Sequence, residues 1–444
     1  MPVFKNRLNY FILNLLSLHM NTNPLKKIII LFVIFSLLLS LKCISQTTVS
    51  IEDCQQWAVA QSSANVQKEL NEQLLRMKIN DASSHWYPTL EINGLISYQS
   101  HVPQLPISIP GVETLSKDQY RIGLDLYQVL FDGGKIFYNR KYELLDNKNE
   151  IHKLDISINQ LKEQVIAIYL NLLIIEKQLN ILTSVENTLA EQLDQFRILL
   201  KEGVVYGNAV AQLELEELKI AQQKGALQAT KESLISSLSI LTGRDLSEAE
   251  FLMPHINEIE VDTHSERLEY AIFDNQIAGL EYQRKLHYAN TIPQLALIAN
   301  GGYGRTPLNP FKNDFDWFYF IGIKLNVPII NWAKTTGVGD IIRLQKSILE
   351  AQKYDFEKAN RIDIQEKINE INRIQNLLIL DNQITEKYQS LTKTYRTQLL
   401  NGTITAYDFI KQQSDEIQSL INQEVHTIQL LKAKYELLAL KGKL

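Results

Sequence analysis

The chain has 444 residues, 45% of them hydrophobic, with 45 basic against 50 acidic side chains and a net charge of −5. That is ample material for a packed core and excludes a disordered chain, while an acidic balance without a basic run excludes nucleic acid as a partner. Of the two cysteines, Cys43 lies in a segment expected to be removed and Cys54 remains alone, so no internal disulfide frames the fold.

The chain opens on a targeting segment. Lys26 and Lys27 precede an apolar run from Ile28 to Leu41 and the exit Cys43-Ile44-Ser45-Gln46. The run is too short to span a bilayer as a helix, so residues 1–45 are expected to be a signal peptide cleaved after Ser45, with Met20 the more natural start. Lys42 stands where a lipoprotein signal needs a small residue, so lipidation is not expected. Cleavage removes five basic and no acidic groups and leaves an exported chain of charge −10.

A first structural repeat is expected over 46–243. Ser50 with Asp53 three residues on caps a helix from about Ile51 to Ser84, which Pro88 ends. Two alternating segments follow as a β-hairpin over about 89–131. Leu90, Ile92, Ile96 and Tyr98 oppose Glu91, Asn93 and Ser97; Tyr120, Ile122, Leu124 and Leu126 oppose Arg121, Gly123 and Asp125. Gly133 and Gly134 break the second strand, and a helical hairpin over about 134–241 begins. Its first helix carries an apolar seam from Ile151 to Leu200 in which fourteen of fifteen heptad positions are apolar, Glu186 being the exception. At about 1.5 Å per residue it reaches on the order of 100 Å, and apolar residues off the seam (Ile156, Ile166, Leu173, Ile174, Ile181) call for more than one neighbour. The helix reverses at Gly203 to Gly207.

After an inter-repeat linker, 244–264, the same order returns over 265–444. Pro293 precedes a β-hairpin over about 294–330, and a helical hairpin over about 334–441 reverses at Gly402. Gly123 matches Gly322, Leu126 matches Leu325 and Gly203 matches Gly402 at one offset of 199, whereas Pro88 and Pro293 differ by 205. One offset kept through a strand and a whole helix indicates a duplication with free loop lengths at one end.

Strands of about ten residues, apolar on one face and polar on the other, with aromatics near the loop ends (Tyr98, Tyr120, Tyr303, Trp317), read as transmembrane barrel strands. Four strands cannot close a barrel and lipid tolerates no open edge, so other copies must complete it; three copies supply twelve strands. At this point the chain resembles the TolC-like outer-membrane efflux protein family. The resemblance is carried by Tyr87-Pro88-Thr89-Leu90, Leu130-Phe131-Asp132-Gly133-Gly134, Leu241-Thr242-Gly243-Arg244-Asp245-Leu246, and Gly402 with Asp408. It implies a mainly α fold with a membrane β-barrel. Internally duplicated helix–β-hairpin–long helix hairpin repeats would trimerise into a 12-stranded β-barrel continuous with a periplasmic α-helical barrel. The implied function is an exit duct through the outer membrane, serving an inner-membrane pump through a periplasmic adaptor protein. One departure is Trp332, which stands where the first half has Gly133, and a reduced equatorial girdle is expected around 244–264.

Nothing in the sequence points to an enzyme or a cofactor. The histidines are scattered without ligand spacing, and Gly301-Gly302-Tyr303-Gly304 lies at a strand end rather than opening a helix. Function is expected at the helical turns instead. Gly203, Val204, Val205 and Tyr206, with Gly402, Thr403, Ile404 and Thr405, form the reversal sites, and Val204, Val205 and Ile404 are expected to face water for docking of the adaptor. The resemblance assigns Asp408 to a ring of carboxylates at the periplasmic aperture, with Lys411 where a second acidic residue is usual. Pro88, Pro293, Gly133 and Gly134 are expected at the junctions between helices and strands. A periplasmic coiled-coil adaptor would need a β-rich lipoyl-like insert that the sequence lacks, and a self-standing diffusion porin would need far less helix.

Overall fold

The computed structural model describes residues 48–103, 114–256, 264–305, 308–309, 312–329 and 332–444, without the side chains of 332–336. The expected signal peptide, 1–45, lies outside the described residues, as do 257–263 of the expected linker. The chain divides into two compact units, Met1–Thr48 with Glu248–Glu250, and Val49–Ser247 with Phe251–Leu444. Short strands β1 (Thr48–Val49) and β4 (Glu250–Phe251) pair with each other. All other elements belong to the second unit.

Helix α1 (Ile51–Gln61) starts at the expected capping box: Ser50 Oγ accepts the Asp53 N–H at 3.1 Å, and Asp53 Oδ2 accepts the Ser50 N–H at 3.0 Å. The single helix expected over 51–84 is broken. Ser62 is extended (φ −66°, ψ 141°), its hydroxyl accepts the Ala64 N–H at 3.2 Å, and α2 (Ala64–Ser84) starts afresh. Adjacent serines offer the backbone partners outside the helix, so a continuous polar–apolar pattern does not keep it in one piece.

Strands β2 (Thr89–Tyr98) and β3 (Asp118–Phe131) lead into helix α3 (Lys135–Lys201), and α4 (Gly207–Thr242) returns. The order then recurs: α5 (Leu268–Tyr288), β5 (Gln294–Arg305), β6 (Asp316–Asn326), α6 (Trp332–Leu400) and α7 (Ala406–Leu440). The four longer strands make one antiparallel sheet in the order β2-β3-β5-β6.

Helix α3 is the common wall of the helical part, touching α1, α2, α4, α5 and α7. Its seam residues Ile158, Val165 and Leu172, then Leu182, Leu189 and Phe196, are buried at steps of seven. Midway, Ile166, Tyr169, Leu170 and Leu173 are buried as well, because neighbours cover more than one face there. The Tyr169 ring meets Phe251 edge-on at 5.5 Å, and its hydroxyl lies 2.7 Å from the carbonyl oxygens of both Val49 and Leu252. One phenol thereby ties Val49 and Leu252 to the long helix. Tyr169→Phe keeps the packing but leaves both carbonyls without that donor. It is expected to lower unfolding stability by about 1–3 kcal/mol in denaturant titrations; an unchanged midpoint would contradict this role.

Candidate functional site

Both long helices reverse by the same backbone device. At the end of α3 the Val204 N–H donates to Leu199 O at 2.8 Å and the Gly203 N–H to Leu200 O at 3.1 Å. At the end of α6 the Thr403 N–H donates to Gln398 O at 2.9 Å and the Gly402 N–H to Leu399 O at 3.0 Å. These bonds satisfy carbonyls that the helix leaves open, and they require a left-handed residue. Gly203 has φ +73° and Gly402 φ +70°. A Cβ at either would meet nothing within 4 Å, so the requirement is one of conformation, not space.

Beyond the glycines the two turns differ. Thr405 caps α7: its Oγ1 accepts the Asp408 N–H at 3.2 Å, while Asp408 Oδ2 accepts from the Thr405 hydroxyl at 2.6 Å and its N–H at 3.1 Å. Tyr206 caps α4 without any side-chain bond. The bonds from the Thr405 hydroxyl and N–H hold the Asp408 carboxyl below its ordinary range, with Lys411 a smaller contribution. Asp408 and Lys411 are both exposed.

Val204 is 65% and Tyr206 85% exposed, and Thr403 also faces solvent. Val205 and Ile404 do not stand free as expected. Both are half-buried, and Val205 packs on the cluster of Leu182, Leu193, Phe196, Val210 and Leu213 beneath the turn. That packing is made by residues on both sides of the turn, which the sequence pattern alone does not reveal.

At the other end of the helices, Pro88 and Pro293 immediately precede β2 and β5. Gly133 and Gly134 take φ +75° and +92°. A Cβ on Gly133 would lie 2.7 Å from Ala289 O, so the β3–α3 and α5–β5 junctions approach too closely for any other residue. The buried Asp132, quoted in the sequence motif but given no role there, fastens this corner: its carboxylate accepts the N–H groups of Gly134 and Ile136, each at 2.8 Å. Its signal was an aspartate followed by two glycines just ahead of a helix.

The sheet is two-faced. Register places Leu90, Ile92 and Ile96, then Ile122, Leu124 and Leu126, then Leu295 and Leu297, then Ile321, Ile323 and Leu325 on one side. On that side near the loop ends, Tyr303 and Trp317 stand 5.2 Å apart, and Arg305, paired with Asp118, lies over Tyr120 and Phe315. The other side carries a polar network that sequence reading missed. Asp125 accepts from Asn93 and Asn300, Asn300 Oδ1 accepts from Arg121 at 2.9 Å, and the Arg121 guanidinium sits 4.7 Å from the Phe318 ring centre. The apolar side is open to solvent in the single chain: Ile92 is 75% and Ile323 66% exposed. Exposed apolar residues also run at helical spacing along α2 (Val66, Leu70, Leu74, Met77) and α6 (Ile341, Leu344, Ile348).

No family model matches the chain, and no curated protein matches its sequence. Solved structures do share its fold. The outer membrane channel CmeC of Campylobacter jejuni superposes with a TM-score of 0.66 at 14% identity, over 88% of this chain and 85% of that one. The outer membrane protein VceC of Vibrio cholerae gives 0.67 at 11%, over 88% and 95%. The open state of the MtrE outer membrane channel of Neisseria gonorrhoeae gives 0.64 at 14%, over 88% of each chain. The fold is thus that of outer-membrane channels, in agreement with the resemblance carried by the sequence motifs.

The Asp408 box has a definite acid response. Its folded-state pKa is depressed, so its contribution is complete above the unfolded value of about 3.9 and is lost as pH falls through the lower folded one. Amides at the start of α7 are expected to stay protected from exchange, after correction for intrinsic rates, down to about pH 4 and to open below it. Asp408→Ala should open them at every pH; equal protection in the variant would contradict the assignment.

Proposed function

We propose that this chain is one third of an outer-membrane exit duct, a homotrimer that passes substrates delivered by an inner-membrane pump across the periplasm and the outer membrane. The observation that carries the reading is the sheet: four strands, an exposed apolar face, a polar opposite face, and helices of 67 and 69 residues leaving its end. In an aqueous compartment that face would be a large unpartnered patch; in lipid it is the expected outer wall. Lipid also forbids the free edges of β2 and β6, and three copies close a twelve-stranded barrel without any. The fold shared with CmeC, VceC and MtrE supports the same reading.

In the trimer the duplicated long helices form a periplasmic α-barrel, and the exposed stripes on α2 and α6 are covered by neighbouring copies. The reversal sites at Gly203 and Gly402 form its far end. There the exposed Val204 and Tyr206 offer apolar contact to a periplasmic adaptor. Three copies of Asp408 ring the aperture; crowding them raises each carboxyl's pKa against the local depression by Thr405 and creates a cation site.

Two substitutions test this in planar bilayers. Asp408→Ala channels are expected to show higher resting conductance and weaker block by multivalent cations added from the periplasmic side. Leu124→Arg, placed on the lipid face, should cost about 2–4 kcal/mol and sharply reduce insertion. Channels that ignore both changes would overturn the reading.

A further inference from the structure

The sheet ends in two edges, β2 and β6, and we infer the register in which β6 of one copy of this chain pairs with β2 of the next. The inference rests on the trimeric reading above and adds to it the residue pairs that form the seam.

Two offsets relate the halves of the chain. Strand β3 maps onto β6 by 199 residues, as Gly123 onto Gly322, and β2 maps onto β5 by 205, as Thr89 onto Gln294. The two hairpins obey both offsets at once: Ile92 faces Leu124 in the first, and Leu297 faces Ile323 in the second. One strand contact inside the chain has no counterpart inside it, that of β3 with β5. Its counterpart is β6 against β2 of the next copy. Within the chain Leu124 faces Gly301, Ile122 faces Tyr303 and Leu126 faces Ala299. Carrying these over sets Ile323 opposite Ile96, Ile321 opposite Tyr98, and Leu325 opposite Gly94 of the next copy.

The chemistry of the edges agrees. All of these residues lie on the apolar side of the sheet. Ile96, Tyr98, Ile321 and Ile323 are 79, 76, 67 and 66% exposed in the single chain, whereas the inner strand β5 is half-buried along nearly its whole length. On the polar side the same register sets Asn326 opposite Asn93 and Gly322 opposite Ser97. A slip of one residue would turn the isoleucines of one edge onto the polar face of the other. The seam does not copy everything, since Lys324 and Leu95 stand where Asp125 and Asn300 meet within the chain. The carboxylate–amide–guanidinium network therefore occurs three times around the ring, not six. The stagger, four residues per half, tilts the strands by roughly 55°, steeper than the 35–45° of simpler barrels.

Disulfide trapping in the full chain tests the register. The native background is low, because Cys54 is fully buried and burial pushes its thiol to about 12. Directly opposed residues on neighbouring strands lie about 4.5–5.5 Å apart at Cα, within disulfide reach, whereas a four-residue displacement adds roughly 13 Å. Membranes carrying Ile96→Cys with Ile323→Cys, oxidised with copper phenanthroline, are expected to yield a reducible covalent trimer on denaturing gels. Ile92→Cys with Ile323→Cys and the single variants should run as monomers. Crosslinking through Ile92 instead, or no crosslink in a trimer still seen by light scattering, would overturn the register alone. Absence of any trimer in the unmodified protein would overturn the functional reading and the register with it.

Discussion

A β-strand edge is a row of unpaired N–H and C=O groups, and an apolar medium supplies nothing to satisfy them. This constraint organises the chain. The sheet shows lipid-compatible side chains on one face, yet among the described residues it has four strands, with β2 and β6 each open on one side. A soluble protein would cover that face with helices. Here the helices leave from the end of the sheet, and the face stays bare. Apolar exposure and open edges disfavour a lone chain in either water or lipid, and the proposed lateral association of copies would remove both.

The same need for satisfied backbone explains the residues that mark the ends of the helices. At the sheet, Asp132 bonds the N–H groups of Gly134 and Ile136, and Gly133 lets two junctions touch. At the far turns, left-handed glycines close the last carbonyls of α3 and α6. Between them α3 is packed by apolar residues at steps of seven, by Ile166, Leu170 and Leu173 off that seam midway, and by the hydroxyl of Tyr169. The turns share a backbone but not a surface. The second carries the Thr405–Asp408 box and the first the exposed Val204 and Tyr206.

Much of this was legible in the sequence because it depends on period and on glycine. Alternation of two identified the four strands and the side each residue takes, and a step of seven identified the long helix. Gly203 and Gly402 announced the reversals because no other residue takes their conformation cheaply. What was not legible depends on local competition for hydrogen bonds or on neighbours distant in the chain. The break at Ser62 is a local competition for hydrogen bonds that the pattern does not record. Val205 and Ile404 were misjudged because exposure at a turn depends on which way the backbone leaves the glycine. The Asn93–Asp125–Asn300–Arg121 network joins three strands, and only their register brings it together.

With four strands and two open edges, this chain is proposed to be one part of a closed ring. Multi-angle light scattering of the detergent-extracted protein, with detergent mass subtracted, measures this directly. Particles of three chains are expected, with no smaller species under native conditions. A stable monomer or dimer that keeps its full β-content would contradict it, since the edges would then be satisfied without the ring.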